Sequence, residues 1–326
     1  MPTREELKML QALPLDIKIR KTQQRISEWV EHYGENDVYV SFSGGKDSTV
    51  LLDIVRNMYP KIEAVFVNTG LEYPEIVEFV KRHENVTILK PNKNFKQVLT
   101  ECGYPVIGKR VSKVVDAYRR NVSYALNVLN GISHATKEKS EYMQALYGKW
   151  HYLTKAPFRI SDKCCATMKE KPLNSCKKSP IIGTLATESK RREFAWIQTG
   201  CNSFREKGSS KPISFWTNND ILTYIHRYRL PIASVYGDVV PDDVGCQFRT
   251  TGCDRTGCMF CLFGAHLEKG EGRLELMKHT HTKRYEYVMG GGEFDSHGMW
   301  VPNNKGLGFK FVIDWLNEYG NLNIRY

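Results

Sequence analysis

A single stretch constrains what this chain can fold into more than any other. The apolar run Val38-Tyr-Val-Ser-Phe42 breaks into Ser43-Gly-Gly-Lys-Asp-Ser48 and resumes as a helical pattern over 47–59. Gly44 and Gly45 permit close backbone approach and dihedrals that other residues avoid. A helix beginning here turns its unpaired N–H groups and its positive dipole end toward the loop, which favours a bound anion. Lys46 adds a mobile positive charge, and Ser43 and Ser48 add hydroxyls. The spacing differs from the G-x4-G-K-S/T phosphate loop. A Gly-Gly turn alone is also an ordinary strand-to-helix connection; the complete Ser-Gly-Gly-Lys-Asp-Ser between strand and helix is what points to phosphate.

The same rhythm repeats downstream. Ile62–Val67 is apolar and precedes a helical pattern over 73–83, and Val86–Leu89 precedes another beginning at Phe95. Apolar runs alternating with helical patterns predict an α/β fold: a Rossmann-like parallel sheet with helices on both faces. Residues 4–33 read as helix interrupted at Pro14, forming an N-terminal arm over 1–35. The main domain spans 36–264, with a Tyr- and Lys-rich helical insertion at 104–160 and a cysteine-bearing part at 161–264. Residues 180–184 and 195–200 read as strands. Residues 212–228 read as a strand, a cap at Thr217 or Asn218, and a helix. A C-terminal extension, 265–326, closes on the helical pattern beginning at Gly308.

With 326 residues, 41% hydrophobic and 25% charged, the chain has globular composition and room for one large domain or two. No apolar run reaches the roughly 18 residues of a spanning helix, and the charged start lacks a signal-peptide pattern. The expectation is a soluble cytoplasmic protein without a membrane partner. Charge is uneven: residues 104–214 hold 21 Lys and Arg against 8 Asp and Glu, whereas the flanking parts are nearly balanced. Such a block suits a polyanion, tRNA or DNA included, or forms a solvated lysine-rich face. Nine cysteines without a signal peptide argue against structural disulfides. Cys164 and Cys165 are adjacent, and Cys253, Cys258 and Cys261 follow C-x4-C-x2-C; four thiolates hold either Zn or an iron–sulfur cluster. Cys102, Cys176, Cys201 and Cys246 are scattered and read as incidental.

Ser41–Ser48 resembles the pyrophosphate loop of the adenine nucleotide α-hydrolase superfamily. Further segments are similar to the phosphoadenylyl-sulfate (PAPS) reductase family within it: Asn68-Thr69-Gly70 through Pro74, Ile182–Arg192 with Glu188, Ser189 and Arg192, Trp216–Ile221, and Leu230–Tyr236. The resemblance covers roughly 36–264. It implies nucleotide contacts from Ser41, Ser43, Gly44, Gly45, Lys46, Asp47, Ser48, Asn68, Thr69, Gly70, Glu188, Ser189 and Arg192. Two departures stand out: Thr184-Leu185 replaces a frequent Arg, and Asn68 replaces an Asp. Lys163–Leu173 and Thr251–Cys261 resemble the segments of cluster-containing adenylyl-sulfate (APS) reductases that bind one 4Fe–4S cluster. That carries over to Cys164, Cys165, Cys258 and Cys261, with Zn as the alternative. Cys253 is left as a persulfide carrier, a substitute ligand or an incidental residue, and Lys169 faces the cluster, the substrate anion or solvent.

Two reactions fit. APS and PAPS reductases resembling this chain use a thiolate in a later E-C-G-x-H segment, and no cysteine follows Cys261 here. An intact loop with Lys46 suits ATP, whose pyrophosphate leaves as an acceptor takes AMP and sulfur then displaces the adenylate. Asp47 places Mg²⁺ or caps the helix. The leading expectation is an ATP- and Mg²⁺-dependent iron–sulfur sulfurtransferase acting on a nucleic acid or nucleotide, with a cysteine desulfurase as sulfur donor. The alternatives are an APS or PAPS reductase releasing sulfite and a non-catalytic nucleotide- and nucleic-acid-binding regulator or defence component.

Overall fold

The computed structural model describes residues 2–133, 135–206, 208–242, 244–245 and 247–326; Cys246 lies outside them. The chain forms two compact units: residues up to Asn68, Glu72–Lys90 and Leu173–Thr256 in the first, and Thr69–Leu71, Pro91–Pro172 and Gly257–Tyr326 in the second. The N-terminal helices thus belong to the first unit. Residues 104–160 and 265–326 both belong to the second.

In the first unit the chain order is α1 (Arg4–Gln11), α2 (Leu15–Tyr33), β1 (Val38–Ser41), α3 (Lys46–Met58), β2 (Glu63–Val67), α4 (Pro74–Lys81) and β3 (Val86–Leu89). Pro14 separates the two opening helices, and Gly34, at φ +91°, ends the second. The six-stranded sheet runs β3-β2-β1, then Ser179–Ile182, Ser209–Ser210 and Asn202–Ser203. Every pairing is parallel except the last. Val38 and Val40 on one face of β1 and Tyr39 on the other are all buried, as in a strand covered on both faces. From β1 the chain moves to β2 and β3 on one side, then returns beside β1 on the other. Strand order therefore reverses at β1, where an open α/β sheet leaves a crevice at the carboxyl ends of its strands. The loop after β1 and the segment after Ile182 flank that crevice.

Two strand expectations are corrected. Residues 195–199 lie in the helix Lys190–Thr199, which the Ser189 side chain caps by accepting from the Arg192 N–H and which Gly200 ends at φ +65°. Residues 212–215 form turns rather than a strand; Ile213, Phe215 and Trp216 are buried there all the same. A short apolar run signals burial without fixing the backbone. The helix Asn218–Tyr228 begins as expected, with Thr217 as its cap. Asp220 closes that capping box and also accepts from Lys18 Nζ at 2.6 Å, while Lys18 itself is only 2% exposed. Trp216 Nε1 donates to Thr22 Oγ1 at 3.0 Å, so α2 and this helix are tied by two polar links through a buried seam.

The second unit is largely helical over 104–160, with helices Lys109–Arg119, Ser123–Leu129 and Glu141–Leu146. It also contains a two-residue strand, Val106–Ile107, paired in parallel with Leu262–Phe263. Its core joins sequence-distant parts: the closing helix Phe309–Gly320 buries Phe309, Val312, Ile313 and Leu316. The Phe309 ring lies 5.5 Å from Tyr104, 5.8 Å from Phe260 and 6.4 Å from Phe95. Among the described residues no helix is long and apolar enough to cross a membrane.

Candidate functional site

The phosphate loop takes its shape from its glycines. Gly44 has φ +72°, and a Cβ there would lie 2.8 Å from the methyls of Ile76 and Val80 on α4. Only glycine allows the loop to pass that close. Ser43 Oγ and Ser48 Oγ lie 3.0 Å apart, and the Ser48 hydroxyl donates to the Gly45 carbonyl, so both hydroxyls brace the turn. Gly45 occupies the N-cap of α3 and no side chain caps that end. Apart from the Lys46 N–H, which Tyr236 Oη accepts, the N–H groups of the first turn suit an anion. Asp47 stands inside the helix and is not its cap.

Lys46 opens α3 with its side chain almost wholly buried. Its Nζ donates to the Asp254 carbonyl at 2.7 Å and lies 3.4 Å from Asp254 Oδ1, and its backbone N–H donates to Tyr236 Oη at 3.3 Å. Tyr236 also bonds Thr256 Oγ1. Asp47 Oδ1 is buried with no hydrogen-bond partner among the described residues. Burial lifts its carboxyl above the usual range, against the pull of Lys46, Arg255 and Arg192. An unpaired carboxylate oxygen beside an anion-binding loop matches the donor chemistry that Mg²⁺ requires.

Across the crevice, Glu188 is 15% exposed and its Oε1 accepts from the Leu185 N–H at 3.0 Å. Its Oε2 meets Arg192 and also Arg255 Nη2, the latter at 3.0 Å. Lys46, Asp47, Glu188 and Arg192 are thus gathered by the folding of the first unit. Ser189 serves as a helix cap. Asn68 follows β2 at the carboxyl end of the sheet, next to the phosphate loop, with its N–H on the Leu89 carbonyl at 2.8 Å. Thr69 and Gly70 belong to the second unit.

Four cysteines come together within the second unit. Cys164 and Cys165 lie on a single helical turn that continues as a π turn, Ala166–Glu170, with their sulfurs 3.9 Å apart. The Cys261 N–H donates to the Cys258 carbonyl at 3.2 Å, and Met259 and Phe260 between them are buried. The Phe260 ring packs against Phe95 and Phe309, anchoring the C-x2-C turn in the core. Cys165, burial, and then Cys261 and Cys258 all push the Cys164 thiol upward. The hydrogen bond from Cys164 draws the Cys165 thiol down despite burial, helped by the ammonium groups of Lys109 and Lys169. Ile107, just before the Lys109 helix, has φ +62°, a conformation costing a β-branched residue about 1–3 kcal/mol. Among the described residues no group of three or more His, Cys, Asp or Glu side chains is arranged to hold a single metal ion.

The sequence profile of the phosphoadenosine phosphosulfate reductase domain matches residues 37–107 and 108–262. The chain belongs to this family. A phosphoadenosine 5'-phosphosulfate reductase of Gloeobacter violaceus is 22% identical over 68% of this chain and 74% of its own length. An adenosine 5'-phosphosulfate reductase of Staphylococcus haemolyticus is 22% identical over 69% and 75%. An uncharacterized protein of Methanocaldococcus jannaschii is 33% identical over 99 residues, which span 24% of that protein. Among solved structures, the PAPS reductase of Candida auris superposes with a TM-score of 0.37 at 11% identity, covering 72% of this chain and 91% of that one.

Both the phosphate loop and all four gathered cysteines lie inside the family match, whereas the helix that packs on Phe260 lies beyond it. Sequence reasoning left Tyr236 without a role, although it had been quoted as part of a motif. It missed Asp254, Arg255 and Thr256 altogether. These are the first three of the four residues between Cys253 and Cys258, and the charges of Asp254 and Arg255 beside a cysteine are their only signal. Lys109 was missed for a similar reason: one lysine in a lysine-rich block carries no mark. Cys253 is half-buried in the first unit, with its N–H on the Val235 carbonyl at 2.9 Å.

Proposed function

We propose that this family member is an ATP-dependent, adenylating iron–sulfur sulfurtransferase acting on a nucleic acid or nucleotide acceptor. The observation that supports it is the start of α3: a buried lysine on an uncapped phosphate loop, beside a carboxylate with a buried oxygen lacking a partner among the described residues. ATP with Mg²⁺ answers both needs. The phosphates meet Lys46 and the open N–H groups, and the cation meets Asp47. An acceptor oxygen attacks the α-phosphorus, the bond to pyrophosphate breaks, and AMP stays on the acceptor until sulfur displaces it. Lys46 offsets the charge that grows on departing pyrophosphate.

Cys164, Cys165, Cys258 and Cys261 are the residues that would hold a 4Fe–4S cluster. Four thiols crowd together, and Lys109 and Lys169 offset the charge of the thiolates that such a centre requires. When bound, the cluster supplies a site for the incoming sulfur. A cysteine desulfurase is the donor, Cys253 is a persulfide carrier, and tRNA or DNA lies against the basic 104–214 block. Cys258→Ser protein purified without oxygen is expected to lose its brown colour and most of its iron while still binding nucleotide. Iron retained in full removes Cys258 from the ligand set.

The test of the reaction is calorimetric titration of anaerobically prepared protein with ATP plus Mg²⁺, APS and PAPS. Tight ATP binding with weak binding of the other two is the expected result. The second reading, reduction of APS or PAPS, is favoured by the two reductases that align over two-thirds of the chain. Preference for either sulfated nucleotide establishes it over sulfur transfer.

A further inference from the structure

The segment Thr251–Thr256 is fastened to the turn that precedes it. The Gly252 N–H donates to the Tyr236 carbonyl at 2.8 Å, and the Thr251 N–H to the Asp238 carbonyl at 2.9 Å. A Cβ on Gly252 would lie 2.5 Å from the Val235 carbonyl oxygen, and one on Gly237 would lie 2.2 Å from Thr251 Oγ1. No side chain fits between the two strands of this contact, so it holds residues 253–256 at a fixed height over Tyr236. Tyr236 in turn bonds the Lys46 N–H. The segment is therefore built onto the phosphate loop.

That placement has an electrostatic consequence. Glu188 is one carboxylate, 15% exposed, shared by Arg192 and Arg255, whose side chains are 43% and 60% exposed. One negative charge thus holds two guanidinium groups side by side, with the outer faces of both toward solvent. The ammonium of Lys46 rests on a carbonyl and on a carboxylate 3.4 Å away that is 80% exposed. Lys46, Arg192 and Arg255 also all act on Asp47, so the three cations surround one point of the loop. Three cations face the shared Glu188, the exposed Asp254 and the buried Asp47, whose carboxyl is pushed by burial toward its neutral form, so positive charge remains that an oxyanion would neutralise. Guanidinium groups are the side chains best shaped to grip one through paired N–H bonds.

We infer that Arg255 is a phosphate-binding residue that completes, with Lys46 and Arg192, a three-cation clamp for the terminal phosphates of the nucleotide. This rests on the reading of the loop as a nucleotide site. Glu188 is the positioning residue: it sets the two guanidiniums at the loop and gives up part of their hold when phosphate arrives. The Asp254 carbonyl occupies Lys46 until the same event.

The test uses the full chain, titrated with Mg–ATP, inorganic pyrophosphate and AMP, for the unaltered protein, Arg255→Gln, Arg255→Lys and Lys46→Ala. Arg255→Gln is expected to weaken pyrophosphate and ATP about 10- to 100-fold, the loss of one charged hydrogen-bonding group, and to leave AMP unchanged. Arg255→Lys falls between, because it keeps charge and loses the fork. Pyrophosphate affinity within about twofold of the unaltered protein overturns the inference. Equal loss for AMP and pyrophosphate also overturns it, since that marks a structural role. If Lys46→Ala has no effect, or the unaltered protein binds none of the three, the nucleotide reading itself falls and the clamp with it.

Discussion

Lys46→Ala is expected to abolish nucleotide-dependent turnover, with the pyrophosphate-release rate falling at least about 10²–10³-fold, the usual loss when one preorganised charge-stabilising donor is removed. The expectation follows from where the ammonium sits. Its side chain is 5% exposed at the first residue of α3, on a loop whose other donors are backbone N–H groups. Removing it leaves the helix dipole and the guanidiniums of Arg192 and Arg255 facing the departing pyrophosphate, without the one ammonium that sits on the loop itself. The substitution leaves the Asp254 side chain, 80% exposed, to water, and takes the donor from the Asp254 carbonyl, so folding must be measured beside the rate. Pyrophosphate release from ATP, measured beside the circular dichroism and iron content of the same preparation, separates a chemical defect from a folding one. A rate equal to that of the unaltered protein removes the phosphate loop from the reaction.

Asp220→Ala is expected to destabilise the first unit by about 3–5 kcal/mol, because it strands a buried ammonium. Lys18 is 2% exposed, and its Nζ is held by Asp220 at 2.6 Å and by the Gln11 carbonyl at 2.7 Å. The same carboxylate accepts from the Thr217 N–H and hydroxyl, so the substitution also removes that half of the capping box, while the Thr217 hydroxyl still caps the N–H of residue 220. Urea unfolding checks it: the midpoint falls with an unchanged slope. The pair Lys18→Met with Asp220→Leu recovers part of the loss, since an apolar pair leaves no charge unpaired. A single substitution that costs less than about 1 kcal/mol shows that Lys18 reaches water.

The parallel sheet was legible because β1 and β2 are buried on both faces and carry continuous apolar runs, bounded by glycine, proline or asparagine. The phosphate loop was legible because its glycines serve a local need: a Cβ at residue 44 meets α4. Residues 195–199 misled because Ala195, Trp196 and Ile197 read as a strand, while the signal that decides, the Ser189 cap, had been read as part of a ligand motif. Trp216–Ile221 resembled a family signature, yet its Thr217 and Asp220 cap a helix and hold Lys18. Arg255 stayed hidden for a different reason. Its partner Glu188 lies 67 positions earlier in the chain, and nothing local in the sequence records a contact over that distance.

The family match stops at residue 262, but the hydrophobic packing does not. Phe260, one residue before the last gathered cysteine, is covered by Phe309, on a helix some fifty positions further along. The edge of recognisable ancestry is therefore no place to cut. A fragment trimmed to the matched residues keeps every cysteine and Phe95 but loses Phe309, one of the two rings that hold Phe260 and the turn it belongs to. Residues that carry no chemistry and no family signature thus decide whether those that do are held in position.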